Sequence, residues 1–171
     1  MTSILKVDQI KVGQIQNAAG TDAIAISSNG VVTRPSIPAF HVRSPSGTIA
    51  TNQKPVWNNV NLNEMSFWNL SNNRAECTIA GLYHFTCSLG VYGQGNNVGR
   101  DIQHSFMLNG SGYGNGVSNQ ISNVTNSNDH TTATNTAMIR LDVGDYVEIS
   151  FNYVDGVAVY GGSAFIGYLI G

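Results

Sequence analysis

Four histidines are the side chains in this sequence best suited to bind a metal ion or to transfer protons. They lie at positions 41, 84, 104 and 130, and no two of them have the short mutual spacing of a zinc motif. His84 lies on a predicted strand, on the face opposite Tyr83 and Phe85. Copies of it that met at a symmetry axis would titrate together. We favour the commoner situation, a hydrogen-bonded polar group on a sheet, and we predict no metal site and no cofactor.

Three carboxylates surround one turn: Asp142, Asp145 and Glu148 flank Val143-Gly144. Calcium needs six to eight oxygen ligands, and this spacing is that of a hairpin in which Gly144 and Asp145 form the turn. We therefore interpret the acidic residues as turn residues. A calcium-dependent binding module is the minority alternative.

The sequence contains no recognisable catalytic arrangement. The glycine-rich stretch 110–116 lacks the Lys-Ser/Thr ending of a phosphate-binding loop and the helix that should follow it. No Ser-His-Asp or Cys-His set stands out, nor a pair of carboxylates beside an aromatic cleft. We expect a protein that is not an enzyme.

Three tyrosines suggest recognition rather than catalysis. Tyr92, Tyr113 and Tyr160 lie in or beside loops rich in Asn and Gly. Tyrosine among small polar residues offers apolar area at low entropic cost together with adaptable hydrogen bonds. Binding of a cell-surface glycan or protein and ordinary loop decoration are equally compatible with this pattern.

Composition excludes other partners. The net charge is −2 and only 11% of the residues are charged, so no basic surface is expected to bind nucleic acid. No apolar segment approaches the roughly 20 residues that span a bilayer, and the first residues lack the pattern of a signal peptide. Cys77 and Cys87 would be on the order of 30 Å apart on one strand, so we expect two buried thiols and no disulfide.

The elements that carry these residues are predicted to be strands. In residues 80–89, apolar side chains from Tyr83 to Leu89 alternate with polar ones, as in a strand with one buried face. Cys77 and Ile79 keep the same parity, so one central strand is predicted over 77–89. Turn-punctuated segments elsewhere predict an all-β sandwich or jelly roll, with further strands at 39–43, 56–60, 102–108, 133–141, 146–153 and 163–170. Residues 118–132 are either a surface loop or an edge strand.

The last predicted strand is apolar on both faces. Phe165 and Leu169 lie on one face, and Ile166, Tyr168 and Ile170 lie on the other, although a sandwich strand needs only one buried face. A covering loop or stalk would explain this pattern. We favour burial against neighbouring subunits, at an interface formed by Leu82, His84, Ile166, Tyr168 and Ile170.

The amino-terminal part is expected to be a stalk. Apolar residues in 1–20 follow neither a helical nor a sustained strand period. Short strand pieces with kinks fit this pattern, and so does an extended segment that is ordered only by a partner; in either case we expect contacts with other chains. In 21–38, two β-prone runs flank Asn29-Gly30, a favoured hairpin turn. An isolated hairpin is marginal in water, so several copies are expected to pack together.

Residues 39–171 resemble the globular head of complement component 1q, a jelly roll shared with tumour necrosis factor. The resemblance lies in motifs that recur in order, namely Pro38-Ala39-Phe40-His41-Val42, Phe67, Ala80-Gly81-Leu82-Tyr83-His84-Phe85, the stretch from Ala137 to Val147, and the stretch from Ser163 to Ile170. The family implies a homotrimer whose subunits meet along a threefold axis.

Residues 21–38 look like the β-stem that precedes such heads in bacteriophage fibre and appendage proteins, and residues 3–10 resemble the starts of such fibres. The chain departs from the animal proteins in lacking a collagen Gly-X-Y stem. This resemblance implies a virion protein in which 1–20 attach to other virion proteins, 21–38 form a trimeric β-stem and 39–171 form a distal knob. The knob either contacts a host glycan or protein or decorates the particle. The alternative is a bacterial lectin-like or spore-surface protein with the same head.

Overall fold

The computed structural model describes residues 14–16, 22–34, 37–43, 47–48, 53–93, 100–114, 118–124, 130–154, 157–159 and 161–171. The chain divides into two compact units, Met1–Ile37 and Pro38–Gly171. Each unit is described by itself.

The first unit contains a three-stranded antiparallel sheet in the order β1-β2-β3. Its strands are β1 (Gln14–Gln16), β2 (Asp22–Ile26) and β3 (Val32–Thr33). The turn between β2 and β3 has Gly30 at φ 82°, and the N–H of Ser27 donates to the carbonyl of Val31 at 2.9 Å. The hairpin predicted around Asn29-Gly30 is confirmed. Of the predicted attachment segment 1–20, residues 14–16 form β1, and residues 1–13 and 17–20 lie outside the described residues.

The described part of the second unit is built from thirteen strands and no helix. In chain order they are β4 (Ala39–Arg43), β5 (Gly47–Thr48), β6 (Asn59–Glu64), β7 (Trp68–Asn69), β8 (Arg74–Glu76), β9 (Gly81–Gly93), β10 (Arg100–Leu108), β11 (Ser111–Gly112), β12 (Ser118–Val124), β13 (His130–Leu141), β14 (Tyr146–Val154), β15 (Val157–Val159) and β16 (Ala164–Leu169).

These strands form two sheets. The seven-stranded sheet has the order β5-β15-β9-β16-β4-β6, with β13 paired to the other edge of β9. The six-stranded sheet has the order β11-β10-β14-β8-β7, with β12 paired to β10. The predicted central position of β9 is confirmed, since β13, β15 and β16 all pair with it. Residues 118–124 form a strand at the edge of the six-stranded sheet, which is the second of the two alternatives, loop or edge strand, predicted for 118–132.

Aromatic rings fill the space between the sheets. Phe165 of the seven-stranded sheet lies 4.9 Å from Phe40 and 6.1 Å from Phe106 of the six-stranded sheet, measured between ring centroids. Gly167 gives these rings room, because a Cβ there would lie 2.4 Å from the Phe40 ring. Packing of this density makes the core sensitive to a single added methyl group.

Two strands begin three or more residues later than predicted. Cys77 does not belong to the central strand, which begins at Gly81. The N–H of Cys77 donates to the carbonyl of Asp145 at 2.8 Å, and the carbonyl of Cys77 accepts from the N–H of Gly144 at 2.9 Å. A turn therefore separates Cys77 from β9. The period of two continued across that turn by coincidence. Both cysteines are nevertheless buried and free, as expected.

The strand predicted over 56–60 begins instead at Asn59. Before it, the N–H of Trp57 donates to Asn73 Oδ1 at 2.8 Å, so a side chain takes the place of a ladder partner. The Trp57 side chain is buried in the core. Its apolar character therefore reflects burial outside any strand.

Candidate functional site: the outer face of the seven-stranded sheet

Alternation along β9 separates a core face from an outer face. Tyr83, Phe85, Cys87 and Leu89 are fully buried, whereas Leu82, His84, Thr86 and Ser88 remain partly accessible. Successive strand residues point to opposite sides of a sheet. The outer face of the seven-stranded sheet therefore carries the second set.

Strand pairing brings the five predicted interface residues together. Tyr168 lies opposite His84, with ring centroids 5.1 Å apart, and Ile166 lies opposite Thr86. The N–H of Ile170 donates to the carbonyl of Leu82 at 2.7 Å. Tyr168 and Ile170 are 44% and 45% exposed. The contiguous surface formed by Leu82, His84, Ile166, Tyr168 and Ile170, with Met138 and Leu62, is called the apolar patch below.

Two members of the apolar patch were missed at the sequence level. Met138 on β13 lies opposite His84 and is 63% exposed, and Leu62 on β6 lies opposite His41 and is 41% exposed. A signal for Met138 was present, because alternation over the predicted strand 133–141 sets it on the face opposite Ile139. Leu62 gave no such signal, since its strand was placed too early in the chain.

Hydroxyl groups continue the outer face beyond the apolar patch. Thr86 Oγ1 and Thr136 Oγ1 are 3.3 Å apart, and Ser88 Oγ and Thr134 Oγ1 are 3.2 Å apart. These pairs bridge β9 and β13. The face is thus apolar around Tyr168 and polar but uncharged farther along β9.

Two of the three candidate recognition tyrosines, Tyr92 and Tyr113, lie far apart. Tyr92 lies on β9 and is half-buried. The ring of Tyr113 packs against the core, and its hydroxyl donates to the carbonyl of Met138 at 3.3 Å. Met138 pairs with His84, eight residues before Tyr92, which corresponds to roughly 26 Å of strand. Tyr160 lies outside the described residues, so a recognition role for these loops stays a prediction.

The acidic turn is held by its own hydrogen bonds. Asp145 Oδ1 accepts from Asn109 Nδ2 and Asp145 Oδ2 accepts from the N–H of Asp142, each at 2.8 Å. The Asn109 amide, followed by the Asp142 N–H, lowers the pKa of Asp145. Glu148 bonds elsewhere, to Lys54 Nζ at 2.6 Å. Within the described ranges, no three His, Cys, Asp or Glu side chains are grouped so that they could hold a metal ion.

The histidines occupy different environments. His41 and His84 lie on the outer face of the seven-stranded sheet, on β4 and β9. His104 on β10 is fully buried, and neither of its ring nitrogens has a hydrogen-bond partner among the described residues. Desolvation lowers the pKa of His104 to about 4, so this imidazole is neutral at physiological pH.

The architecture and the sequence together assign the fold. The family model of the C1q domain matches residues 39–170. The chain belongs to the C1q domain family. Domains of this C1q and tumour necrosis factor class form homotrimers. A search of curated protein sequences found no match.

Solved structures show the same fold at low sequence identity. The globular domain of zebrafish complement 1qA is 17% identical, with a TM-score of 0.55, over 78% of this chain and 98% of that one. The Eiger TNF of S. frugiperda is 13% identical, with a TM-score of 0.58, over 80% and 92%. Murine APRIL is 11% identical, with a TM-score of 0.53, over 78% and 98%. No helix in the described part of this C1q-domain chain is long and apolar enough to cross a membrane.

Proposed function

We propose that this chain is a non-enzymatic structural protein of a bacteriophage particle, in which three copies form a fibre or appendage with a C1q-type knob. The observation that carries the trimer is the apolar patch. Its residues lie together on one outer face and stay accessible in the single chain, with Met138 63% exposed. Large exposed apolar surfaces of this kind usually mark contacts with other chains.

The sheet of the first unit supports a stem built from several copies. Its strands leave Ile15, Ile26 and Val32 exposed, and Val31 in the turn before β3 is exposed as well, although such β-branched residues usually pack on a buried face. A small sheet with exposed aliphatic side chains is marginal alone. Three copies would bury these side chains against one another, and residues 1–20 would attach the stem to other virion proteins.

The virion assignment is supported by the likeness of residues 3–10 and 21–38 to phage fibre segments. In this role the chain is made in the host cell and incorporated into the particle. The knob would then contact a host-surface glycan or protein, and repetition around the axis would strengthen weak contacts through avidity.

Two variants test the trimer at positions whose side chains are almost equally exposed in the single chain. Met138→Glu sets a charge in the apolar patch, and Val143→Glu sets the same charge in the turn that follows β13, where the side chain is 69% exposed. Because both positions face water in a single chain, neither change should unfold it. Light scattering is expected to show a monomer for Met138→Glu and a trimer for Val143→Glu. Equal masses for the two variants would contradict the assigned interface.

Mass spectrometry tests the biological assignment. We expect peptides of this chain in purified phage particles, in constant proportion to the major capsid protein after density-gradient purification. Peptides found only in the host envelope or in spore coats would refute the virion role and support a lectin-like or spore-surface protein with the same head.

A further inference from the structure

The two edge strands of the seven-stranded sheet carry opposite charges beside the apolar patch. At the level of β16 the described strands lie in the order β13-β9-β16-β4-β6, so β13 and β6 are the edges. On β13, Arg140 follows Met138 by two residues, and on β6, Glu64 follows Leu62 by two residues; all four side chains are exposed. Because a spacing of two keeps residues on one face of a strand, both charges lie on the outer face with the apolar patch.

Within the described part of one chain, neither Arg140 nor Glu64 belongs to an ion pair. The two side chains cannot pair with each other there, because four strand spacings separate β13 from β6, about 19 Å. The described strands of this face carry one further charged side chain, Arg43 at the other end of β4. The carboxyl group of Gly171 is a second anion, and one of its oxygens accepts from the Leu82 N–H at 2.7 Å. A contact between Arg140 and Glu64 can therefore form only between copies.

The strand register places the two charges at neighbouring levels. One row of paired residues crosses the sheet from edge to edge and consists of Met138, His84, Tyr168, Ala39 and Glu64. Arg140 is one outward-facing position from this row, about 7 Å along β13. Since four antiparallel pairings separate β13 from β6, the two edges run in the same direction. Rotation about an axis along the strands keeps level and direction, so β13 of one copy can lie beside β6 of the next with Arg140 diagonal to Glu64.

We propose that Arg140 of each copy binds Glu64 of the next copy, and that this ion pair determines which edges of the heads meet. The inference rests on the trimer of the proposed function and names the contact that orders it. In a ring of three copies every interface joins two different surfaces, here the β13 edge and the β6 edge. The same contact brings Met138 of one copy toward Leu62 of the next. Two β13 edges that met each other would instead oppose two arginines, and like charges disfavour that arrangement.

The experiment reverses the charges of the full chain one at a time and then together. The variants are Arg140→Glu, Glu64→Arg and the double variant with both changes. Fluorescence-detected sedimentation over a dilution series into the nanomolar range measures dissociation, and tryptophan fluorescence reports folding because Trp57 and Trp68 are buried. We expect each single reversal to weaken each contact about tenfold, and so to raise the dissociation constant of the trimer, with its three contacts, about a thousandfold. The double variant should return to within about tenfold of wild type.

The matched control combines Glu64→Arg with Arg43→Glu. It has the same net charge as the double variant, but Arg43 lies opposite Ala164, at the other end of β4 from Glu64, so association should stay weak. A double variant that associates no better than the single variants, or a control that recovers equally, overturns the pairing and leaves the trimer intact.

The single variants also identify the anion. If Arg140→Glu weakens the trimer and Glu64→Arg does not, another group such as the Gly171 carboxylate binds Arg140, and the inference is wrong. The same holds if both single variants associate as tightly as wild type. A wild-type monomer at every concentration overturns the proposed function and this inference together.

Discussion

The buried imidazole of His104 is expected to make the stability of the head depend on pH. His104 lies between Ile102 and Phe106 on β10, and all three side chains are fully buried. Because neither ring nitrogen has a partner among the described residues, protonation would create an uncompensated charge in the core. Desolvation accordingly lowers the pKa to about 4.

The sign and size of the effect follow from the two pKa values. Histidine in an unfolded chain has a pKa near 6.5, so the unfolded state takes up a proton before the folded state as the pH falls. Stability is full above about pH 6.5 and is lost progressively toward pH 4. With a folded pKa of about 4, linkage gives a loss of about 2 kcal/mol at pH 5 and at most about 3.4 kcal/mol at lower pH.

Urea unfolding followed by tryptophan fluorescence, at pH 7.5 and about pH 5 and at one protein concentration, measures this loss. His104→Leu replaces the titrating group with an apolar side chain. Between pH 7.5 and about pH 5, the free energy of unfolding of this variant should therefore fall by about 2 kcal/mol less than that of wild type. The carboxyl groups of Asp145 and Glu76, whose pKa values are lowered, change the free energy of unfolding only in more acidic solution, and they do so equally in both proteins. His104→Gln is the second variant, should Leu disturb the packing. Parallel losses in wild type and both variants would refute the reasoning.

Two further substitutions test the packing and the buried charge. Gly167→Ala should lower the free energy of unfolding by about 2 kcal/mol or more, because a Cβ there would lie 2.4 Å from the Phe40 ring. The control is Gly112→Ala, because a Cβ at that position meets nothing within 4 Å. Equal melting temperatures of the two variants would contradict the packing argument. Lys54→Met removes the cation 2.6 Å from Glu148, a carboxylate that is 2% exposed. The expected loss is about 1 to 2 kcal/mol, less than for a fully buried pair because half of Lys54 stays in water. Adding Glu148→Gln should recover most of it, and a double mutant less stable than Lys54→Met would show that the charge is not the cause.

The sequence predicted those features that follow from local alternation. The period of two around Tyr83, Phe85 and Cys87 located the central strand and its buried face. In β16 the same alternation separated two apolar faces. Because neighbouring strands of a sheet share faces, the alternation in the two strands also grouped His84 with Tyr168 before their pairing was known. The hairpin at Gly30 was predictable for another reason, its positive φ, which glycine adopts without strain.

Features set by tertiary contacts were not predictable in the same way. Trp57 looked like a strand residue, but a side chain of the Asn73 turn binds its backbone N–H. Cys77 kept the parity of β9 only because three residues, 78–80, separate it from Gly81 at the start of β9. The isolation of His104 depends on what the opposite sheet packs against it, and nothing within β10 reveals that.

The central claim is that the apolar patch is covered by sister copies of this chain, and the mass of the unmodified chain in solution tests it most directly. Sedimentation equilibrium at neutral pH should give about 55 kDa, three times the 18.2 kDa of one chain, without change on dilution through the micromolar range. A mass near 18 kDa at every concentration would show that the patch stays in contact with water, and would contradict the account.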